Sequence, residues 1–381
     1  MGNKNYTVYH LHTELSLLDS ATKFENYIAK AVELGQTAIA FTENGNIYQW
    51  VAKKFACDKA GLKYIHGCEV YLTEKLLHTD PRTGEESKIR DNFHTILLAK
   101  NYSGLREMNE LISRSSQPDH FYYKPRITFD EFLGLSDNVI KISACLASPL
   151  NRLRITHPMY ERLVKHYNYL EIQAHNCQEQ IDYNRHLADL SQRYNIPLIA
   201  GTDTHSLNQY KAECRTILQL SKHIEFADED TFDLTYKSYD ELVEMFSIQD
   251  ALPESVYMEA IRNTNRMADS VDAFELDTSF KYPILYGDRD REVLHQVLHD
   301  NLEEKVKEGA ITPEQVEPFK GAIVEECRVF DKIEMSGFML FMSELVTWCK
   351  SHGIPIGFNR GSCGGSRVAY VTKTTDLNPE K

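Results

Sequence analysis

The chain has 381 residues, and its 42 Lys and Arg against 56 Asp and Glu give a formal net charge of −14. The length predicts about two or three domains, and 42% hydrophobic with 26% charged residues excludes disorder, coiled coil and collagen. No run approaches the roughly 18 apolar residues of a membrane span, and the N-terminus lacks the apolar core of a signal peptide. The eight Cys are scattered without a CxxC pair, so a reduced, cytoplasmic protein with no membrane partner is expected.

Short apolar runs alternate with helical patterns through the first two-thirds of the chain. Strands are predicted at 6–10, 37–41, 64–72, 94–100, 138–143, 169–174 and 197–201, and helices at 22–35, 48–60 and 178–194. The polar segment 78–92, which contains Pro and Gly, is predicted to be a surface loop. About seven strand–helix–strand repeats indicate an α/β fold with a parallel sheet or a βα barrel.

The pattern changes near residue 256, after an acidic segment at 225–255 that we interpret as the end of the first domain. Long helices are predicted at 256–270, 290–308, 313–332 and 338–352, and the sequence GIPIGFNRGSCGGSRVAY follows at 353–370, with a strand or extended segment at 354–356. We therefore expect two domains, residues 1–255 and residues 256–381.

Polar side chains follow nearly every predicted strand of the first domain. They are His10, His12, Asp19, Glu43, Asn44, Glu69, Cys145, His175, Asp203 and His205. The C-terminal ends of barrel strands gather on one face, so these residues are expected to converge. His94 precedes its strand, so its position does not predict that it joins them.

Imidazole, carboxylate and thiolate are the ligands of zinc-like metals. So many of them exceed what one tetrahedral ion needs, which suggests two or three ions that share carboxylates. Paired ions about 4 Å apart clamp a phosphate and lower the pKa of a bound water to about 7. Each residue alone has a simpler explanation, such as a hydrogen-bonded structural His or a small buried Cys, and only the joint pattern favours a metal site.

Several segments resemble, in order and spacing, the polymerase-and-histidinol-phosphatase (PHP) domain that opens bacterial DNA polymerase III alpha subunits of the DnaE type. They are YHLHTELSLLDS, TENGN, HGCEVYL, FHTILLAKN, FYYKPRI, ISACL, YLEIQAH and GTDTH. The segment that begins GFMLFMSELVTWCKSHGIPIG resembles the start of the polymerase palm. The resemblance implies a distorted (β/α)7-type PHP barrel followed by a mostly helical, partial palm region. It also implies that the protein is located in the cytoplasm of a bacterial cell or of a phage-infected host.

The resemblance implies a metal cluster and a chemistry for the first domain. The implied ligands are His10, His12, Asp19, Glu43, Asn44, Glu69, His94, Cys145, Asp203 and His205, of which His12, Asp19, Glu69 and Asp203 are expected to be catalytic. The implied cofactors are two or three divalent ions, zinc or manganese with iron as a further option. The implied activity is phosphoesterase cleavage of a DNA 3′ end, a 3′→5′ proofreading exonuclease.

Asn44 stands where the family usually has His, so we expect two firmly bound ions and a third that is weak or absent. His66 is an alternative imidazole donor, although strand alternation places it on the opposite face from Glu69. Family members that lost several ligands keep the domain as a platform, so the alternative function is a metal-stabilised scaffold that docks a proofreading exonuclease or the rest of a split polymerase.

Two segments are candidates for substrate contact. In FYYKPRI, Lys124 and Arg126 lie among aromatics that could stack on bases, with His175 as a further substrate contact, although a packed tyrosine-rich loop explains the segment equally well. In RGSCGGS, which contacts the incoming nucleotide in the family, the candidates are Arg360, Gly361, Ser362, Gly364, Gly365 and Ser366. A plain glycine-rich loop is the alternative there.

In the family, the two aspartates that bind magnesium for nucleotidyl transfer lie beyond this motif. The sequence ends at Lys381, so polymerase activity is not expected, and the chain is interpreted as an N-terminal piece of a longer polymerase or the product of a split or truncated gene, for example from a phage. The expected partners are a DNA primer 3′ end, the remaining C-terminal polymerase portion and a proofreading exonuclease subunit. A small-molecule phosphatase of the histidinol-phosphate type is a third reading, which the palm-like tail argues against.

Overall fold

The computed structural model describes residues 4–223, 232–279, 281–359 and 361–380. It divides into two compact units, Met1–Glu275 and Leu276–Lys381. The first unit mixes strands and helices, and the described part of the second unit is helical. The predicted α/β class with a helical C-terminal region is thus confirmed.

Within the described ranges, every strand lies in the first unit. They are β1 (Ala38–Phe41), β2 (Lys63–Thr73), β3 (Leu77–Thr79), β4 (Glu86–Lys88), β5 (Phe93–Ala99), β6 (Arg126–Thr128), β7 (Val139–Ile142), β8 (Leu170–Gln173) and β9 (Leu198–Gly201). The helices of this unit are α1 (Phe24–Glu33), α2 (Trp50–Ala60), α3 (Tyr102–Ser115), α4 (Phe129–Leu133), α5 (Pro149–Arg152), α6 (Tyr160–His166), α7 (Gln178–Tyr194), α8 (Gln209–Leu220), α9 (Tyr239–Gln249) and α10 (Glu254–Asp269).

The strands join into a ring. β1 pairs with β2 in parallel, β2 with β5 and β5 with β7 antiparallel, and β8 with β9 in parallel. Isolated bridges complete the circuit, from Val8 to Ile39, from Ile142 to Tyr169 and from Leu11 to Thr204. The N-terminal segment therefore belongs to the barrel through single bridges, and the strand predicted at 6–10 is absent as a regular element among the described residues.

The reversed direction of β5 corrects the expectation of a parallel sheet. Because β5 runs antiparallel to β2 and β7, its first residues lie at the end of the barrel where β7 finishes. The backbone N–H of His94 donates to the carbonyl of Ala147, just beyond Cys145, at 3.0 Å. His94 therefore joins the other polar residues although it precedes its strand. Glu69 lies inside the long strand β2 and not at its end.

Two further expectations need correction. The predicted loop 78–92 contains the short antiparallel pair β3 and β4, which carries exposed side chains. The predicted domain boundary at 255/256 falls at the start of α10, but the compact unit extends to Glu275. The reason is packing, since Ile261 and Met267 of α10 are fully buried against the first unit.

Strand alternation divides the core of the first unit into two clusters. In β1, Ala38 and Ala40 belong to an inner cluster, whereas Ile39 and Phe41 pack in the larger cluster that also includes residues of the surrounding helices. A period of two along a strand produces this division. The inner cluster fills the barrel with small and β-branched side chains, and polar residues gather where the strands end.

The second unit contains α11 (Asp290–Lys307), α12 (Val316–Lys332), α13 (Ser336–Ser351) and α14 (Arg367–Val371). Their apolar faces meet in one cluster around Leu294, Phe319 and Val368. Residues 354–356 have no regular secondary structure, so the strand that was one of the two predictions for this segment is not formed. None of the helices in the described ranges has the length and apolar character required to cross a membrane.

Candidate metal centre

Two groups of three side chains gather at the strand ends, each with ligand atoms within 4.8 Å of one another. The first triad is His10, His12 and Asp203, and the second is Glu69, His94 and Cys145. The Oδ1 atom of Asp203 lies 3.0 Å from Nε2 of His10 and 3.4 Å from Nε2 of His12. Glu69 connects the triads, because its Oε1 atom lies 3.4 Å from Nε2 of His10 and 3.0 Å from Nδ1 of His94.

Three of the imidazoles, those of His10, His12 and His205, are oriented by hydrogen bonds at Nδ1. In His10 this atom lies 2.7 Å from Oε1 of Glu171, and in His12 it lies 3.1 Å from Oγ of Ser16. In His205 it lies 2.8 Å from the backbone carbonyl oxygen of Asp203. Protonated Nδ1 atoms leave the Nε2 lone pairs for a ligand, an arrangement common in protein metal sites.

Three more of the expected ligands form a third set, Asp19, Asn44 and His205. The Oδ2 atom of Asp19 accepts a hydrogen bond from Nδ2 of Asn44 at 2.8 Å and lies 3.3 Å from Nε2 of His205. Its other carboxylate oxygen accepts a hydrogen bond from Nη2 of Arg215 in α8 at 2.6 Å. A guanidinium that the sequence reasoning missed therefore sits against this set.

Glu43 does not have a free carboxylate, which corrects its expected role as a ligand. Its oxygens accept hydrogen bonds from the backbone N–H of Thr13, the hydroxyls of Thr13 and Ser16, and Nζ of Lys53, at 2.5–3.0 Å. Both partners of the Glu43–Lys53 ion pair are buried. The pair supports the loop that carries His12, because Ser16 links Glu43 to the imidazole.

Glu171 is the second residue that the sequence reasoning missed. It is fully buried in β8, and its carboxylate accepts hydrogen bonds from the Tyr9 hydroxyl at 2.9 Å and the Gln173 amide at 2.7 Å, in addition to contacting His10. A charged residue inside the predicted strand YLEIQAH was the available signal, because buried carboxylates require partners. Its partner is 161 residues away in the chain, so sequence could not identify it.

The carboxylates and imidazoles change one another's proton affinity. Burial alone would raise the pKa of Asp203, but the imidazoles of His10 and His205 hold it well below its usual range. Burial would lower the pKa of His205, and the carboxylates of Asp19 and Asp203 instead raise it to about 9. The acids are therefore ionised at neutral pH, and binding of a divalent cation would displace protons from the imidazoles.

The donor set fits divalent metal ions. Among the described residues, the buried Nε2 atoms of His10 and His12 have no hydrogen-bond partner of acceptable geometry. One triad offers two nitrogens and an oxygen, and the other offers nitrogen, oxygen and sulfur, which are the donors that zinc and similar ions prefer. A cation between these atoms would satisfy buried groups that protein contacts leave unpaired.

A cleft of about 970 Å³ opens over both triads and the third set. Asp19, Asn44, Glu69, His94, Cys145, Asp203 and His205 contribute to its polar lining. Hydrophobic and aromatic residues form much of the remaining wall, in which Leu17 and Tyr123 are 69% and 70% exposed. The cleft therefore combines a polar region with an apolar rim.

Of the two basic residues expected to contact substrate, one lies at the cleft and the other does not. Lys124 lines the cleft, and its ammonium donates to the Tyr71 hydroxyl at 3.2 Å. Arg126 is fully buried, and its guanidinium donates to the carbonyls of His120 and Ile89, so it does not reach the cleft. Its aromatic and carbonyl neighbours give it a structural role, which corrects the prediction of a phosphate contact.

Two other histidines lie apart from the triads. His175 stacks on Phe232 with ring centroids 4.3 Å apart, and burial lowers its pKa to about 4. It lines a small separate cavity and is absent from the described lining of the main cleft. His66 contacts the Tyr64 hydroxyl at 2.9 Å and the Asn109 amide oxygen at 3.0 Å. Both its nitrogens are engaged, so the suggestion that it replaces the missing imidazole is wrong.

The glycine-rich motif lies in the second unit. Arg360 is outside the described residues, Gly361–Gly365 form a 3-10 helix, and Ser362 belongs to that turn. Gly361, Gly364 and Gly365 line a shallow cleft of about 690 Å³. Ser366 donates to Glu326 at 2.5 Å, and that carboxylate also accepts the next two backbone N–H groups, at 2.9 and 3.2 Å. A protein carboxylate thus holds the Ser366 hydroxyl, one of the donors expected to face a nucleotide phosphate.

Family models match two regions of the chain. A model of the PHP domain matches residues 9–192, and a model described as the bacterial DNA polymerase III alpha NTPase domain matches residues 292–381. The chain is 29% identical over 400 residues to DNA polymerase III subunit alpha of Aquifex aeolicus, and 31% identical over 391 residues to that of Borreliella burgdorferi. These alignments cover 100% and 98% of this chain but 34% and 33% of the relatives, so the chain spans about a third of their length.

Likeness to solved structures is looser. A two-domain protein from Bacteroides vulgatus that contains a predicted PHP-like metal-dependent phosphoesterase matches at 14% identity and a TM-score of 0.33, covering 52% of each chain. An amidohydrolase from Chromobacterium violaceum matches at 11% identity and a TM-score of 0.35, covering 52% of this chain and 87% of that one. Likenesses at these scores carry no argument about the chemistry of this chain.

Proposed function

Since the chain belongs to the family of bacterial DNA polymerase III alpha subunits and carries a PHP domain, we propose that its first unit is a metal-dependent phosphoesterase that removes nucleotides from a DNA 3′ end. The observation that carries the proposal is the pair of ligand triads at one cleft, with two buried imidazole nitrogens left unpaired among the described residues. The proposed partners are the DNA primer and those parts of a polymerase that the longer relatives contain.

In this proposal each triad holds one divalent ion, zinc or manganese. When bound, such ions supply positive charge for the scissile phosphate and a water of lowered pKa. His10 and His12 present Nε2 because Nδ1 is engaged by Glu171 and Ser16. Glu69, which contacts an imidazole of each triad, holds the two groups of ligands in position relative to each other.

The rim of the cleft supports a nucleic-acid substrate. Lys124 adds positive charge near the triads, and a shallow groove that shares Asn92, Tyr123 and Lys124 with the cleft continues to Arg90. The Arg90 guanidinium lies 5.1 Å from the centre of the Tyr123 ring. Exposed aromatics beside cations are typical of surfaces that stack bases and hold phosphates of a single strand. Arg90 and Lys124 give this groove a positive charge, opposite in sign to the net charge of the chain.

A primer-degradation assay tests the proposal. The purified chain, first stripped of metal with chelator, is incubated with a 5′-labelled single-stranded primer with and without added Mn²⁺. We expect shortening from the 3′ end only when Mn²⁺ is present, and a loss of at least about 100-fold in rate for His12→Ala, which removes an imidazole from the first triad.

The exposed His78 on β3 provides the matched control, so His78→Ala should retain the rate of the unchanged chain. Cleavage that persists in chelator and in His12→Ala indicates a contaminating nuclease and contradicts the proposal. If no cleavage occurs but chelation lowers the melting temperature, the cluster is a structural one, and the scaffold function is the better explanation.

A further inference from the structure

The third set of polar residues differs from the two triads because it already contains a cation. The carboxylate of Asp19 accepts a hydrogen bond from Nη2 of Arg215 at 2.6 Å, and the backbone carbonyl of Asp19 accepts one from Nε of Arg215, also at 2.6 Å. The guanidinium therefore forms two hydrogen bonds to Asp19. Arg215 is 9% exposed and is carried by α8, outside every motif that the sequence reasoning used.

The remaining members of the set are arranged around a carboxylate that is already neutralised. Asn44 directs its amide N–H, at 2.8 Å, towards Asp19. His205 brings Nε2 to 3.3 Å from the same carboxylate oxygen. Two hydrogen-bond donors, the Asn44 amide and the Arg215 guanidinium, therefore already face the Asp19 carboxylate, whereas a bound metal ion requires acceptors that face one common point.

Binding a guanidinium and a divalent ion to this carboxylate at the same time is electrostatically unfavourable. Arginine stays charged at every accessible pH, so it cannot lose a proton to make room as lysine or histidine can. Repulsion between two neighbouring cations is strong in a site shielded from water. An ion at Asp19 would have to displace Arg215 from two hydrogen bonds.

We propose that Arg215 takes the place of a third metal ion, so that this centre binds two divalent ions, one in each triad, with a protein cation at Asp19. The inference rests on the proposed metal-dependent function and adds a positioning residue to it. Arg215 holds Asp19 at the edge of the cleft and supplies the positive charge there permanently.

Metal counting tests the inference without reference to activity. Chains stripped with chelator are dialysed to equilibrium against Mn²⁺ alone, and bound manganese per chain is measured by mass spectrometry. The unchanged chain should bind two ions. Asn44→His should still bind two, because Arg215 remains in place. The double variant Arg215→Met with Asn44→His should bind three, because an imidazole is added and the carboxylate is released.

Lys211→Ala is the matched control, because Lys211 lies one turn earlier on α8 and donates to the carbonyl of Ala21 instead of Asp19. It should bind two ions. Three ions in the unchanged chain or in Asn44→His overturn the inference, as do two ions in a folded double variant. If the double variant does not fold, the counts for the unchanged chain and Asn44→His decide the question. No bound ion in any chain defeats the metal-dependent function itself.

Discussion

At the scale of the residue, the centre depends on side chains behind the ligands as much as on the ligands. Glu171 and Ser16 each contact the Nδ1 atom of one imidazole, and Arg215 holds Asp19. These residues are buried, and none of them belongs to the set expected from the strand ends. Partners of this kind set the tautomer and the direction of a ligand, so they determine which ions a site accepts.

His66 provides a prediction at this scale because it is buried in the same strand as Glu69 but is not part of the centre. Burial, together with the charge of Lys53, lowers its pKa from 6.5 to about 4. The unfolded chain therefore takes up a proton at this residue below about pH 6.5, and the folded chain does so only near pH 4. The contribution of His66 to the free energy of unfolding is complete above pH 6.5. It decreases by about 3 kcal/mol as the pH falls towards 4.

The measurement is the free energy of unfolding by urea between pH 7.5 and pH 4.5. We expect His66→Gln to flatten the decline towards low pH, since the amide can still bond to Tyr64 and Asn109 but does not titrate. His78→Gln, an exposed position, should leave the decline unchanged. Equal pH dependence in the unchanged chain and His66→Gln would show that this histidine is not held neutral.

At the scale of the element, strand direction and strand spacing bring the ligands together. The reversal of β5 carries His94 to Cys145, and the pairing of β8 with β9 places Gly201 beside Glu171. A Cβ atom at position 201 would lie 2.3 Å from Cδ of Glu171. Glycine is therefore required there by the close approach of a buried carboxylate, not by an unusual backbone angle.

Gly201→Ala should destabilise the first unit by about 1–3 kcal/mol, because hydrogen bonds to Tyr9, His10 and Gln173 prevent Glu171 from moving aside. It should also weaken manganese binding, since Glu171 orients His10. Thermal unfolding and metal titration measure the two effects. Gly134→Ala is the control, because a Cβ there meets nothing closer than 3.4 Å. Equal melting temperatures for the two variants would contradict the predicted clash.

At the scale of the whole molecule, the first compact unit includes α10, although the sequence pattern placed this helix in the second domain. Asn263 and Thr264 of α10 bond to the backbone of Leu198 and Thr7, at 2.8 and 2.9 Å. Burial of Tyr257, Ile261 and Met267 contributes about 1.5–3 kcal/mol for each side chain. That sum is comparable with the total stability of a typical domain, about 5–15 kcal/mol.

Truncation at the two boundaries tests this assignment. A chain that ends at residue 275 should be soluble and melt cooperatively, whereas one that ends at residue 255 should lose fixed tertiary structure because the surface under α10 becomes exposed. Near-ultraviolet circular dichroism and thermal melting of both chains give the answer. Native-like melting of the shorter chain would place the boundary where the sequence pattern put it.

The amino-acid sequence was enough to identify the α/β class, the approximate positions of most elements and, through the family resemblance, the family and the residues of both triads. These follow from local patterns, such as the continuous apolar run of β1 and the motifs around His10 and His12, which are readable over a few positions. The direction of β5, the place of α10 and the partners of the buried charges became visible only in the folded chain. Arg215 meets Asp19 across 196 positions and Glu171 meets His10 across 161, and contacts over such separations depend on packing that no local pattern encodes.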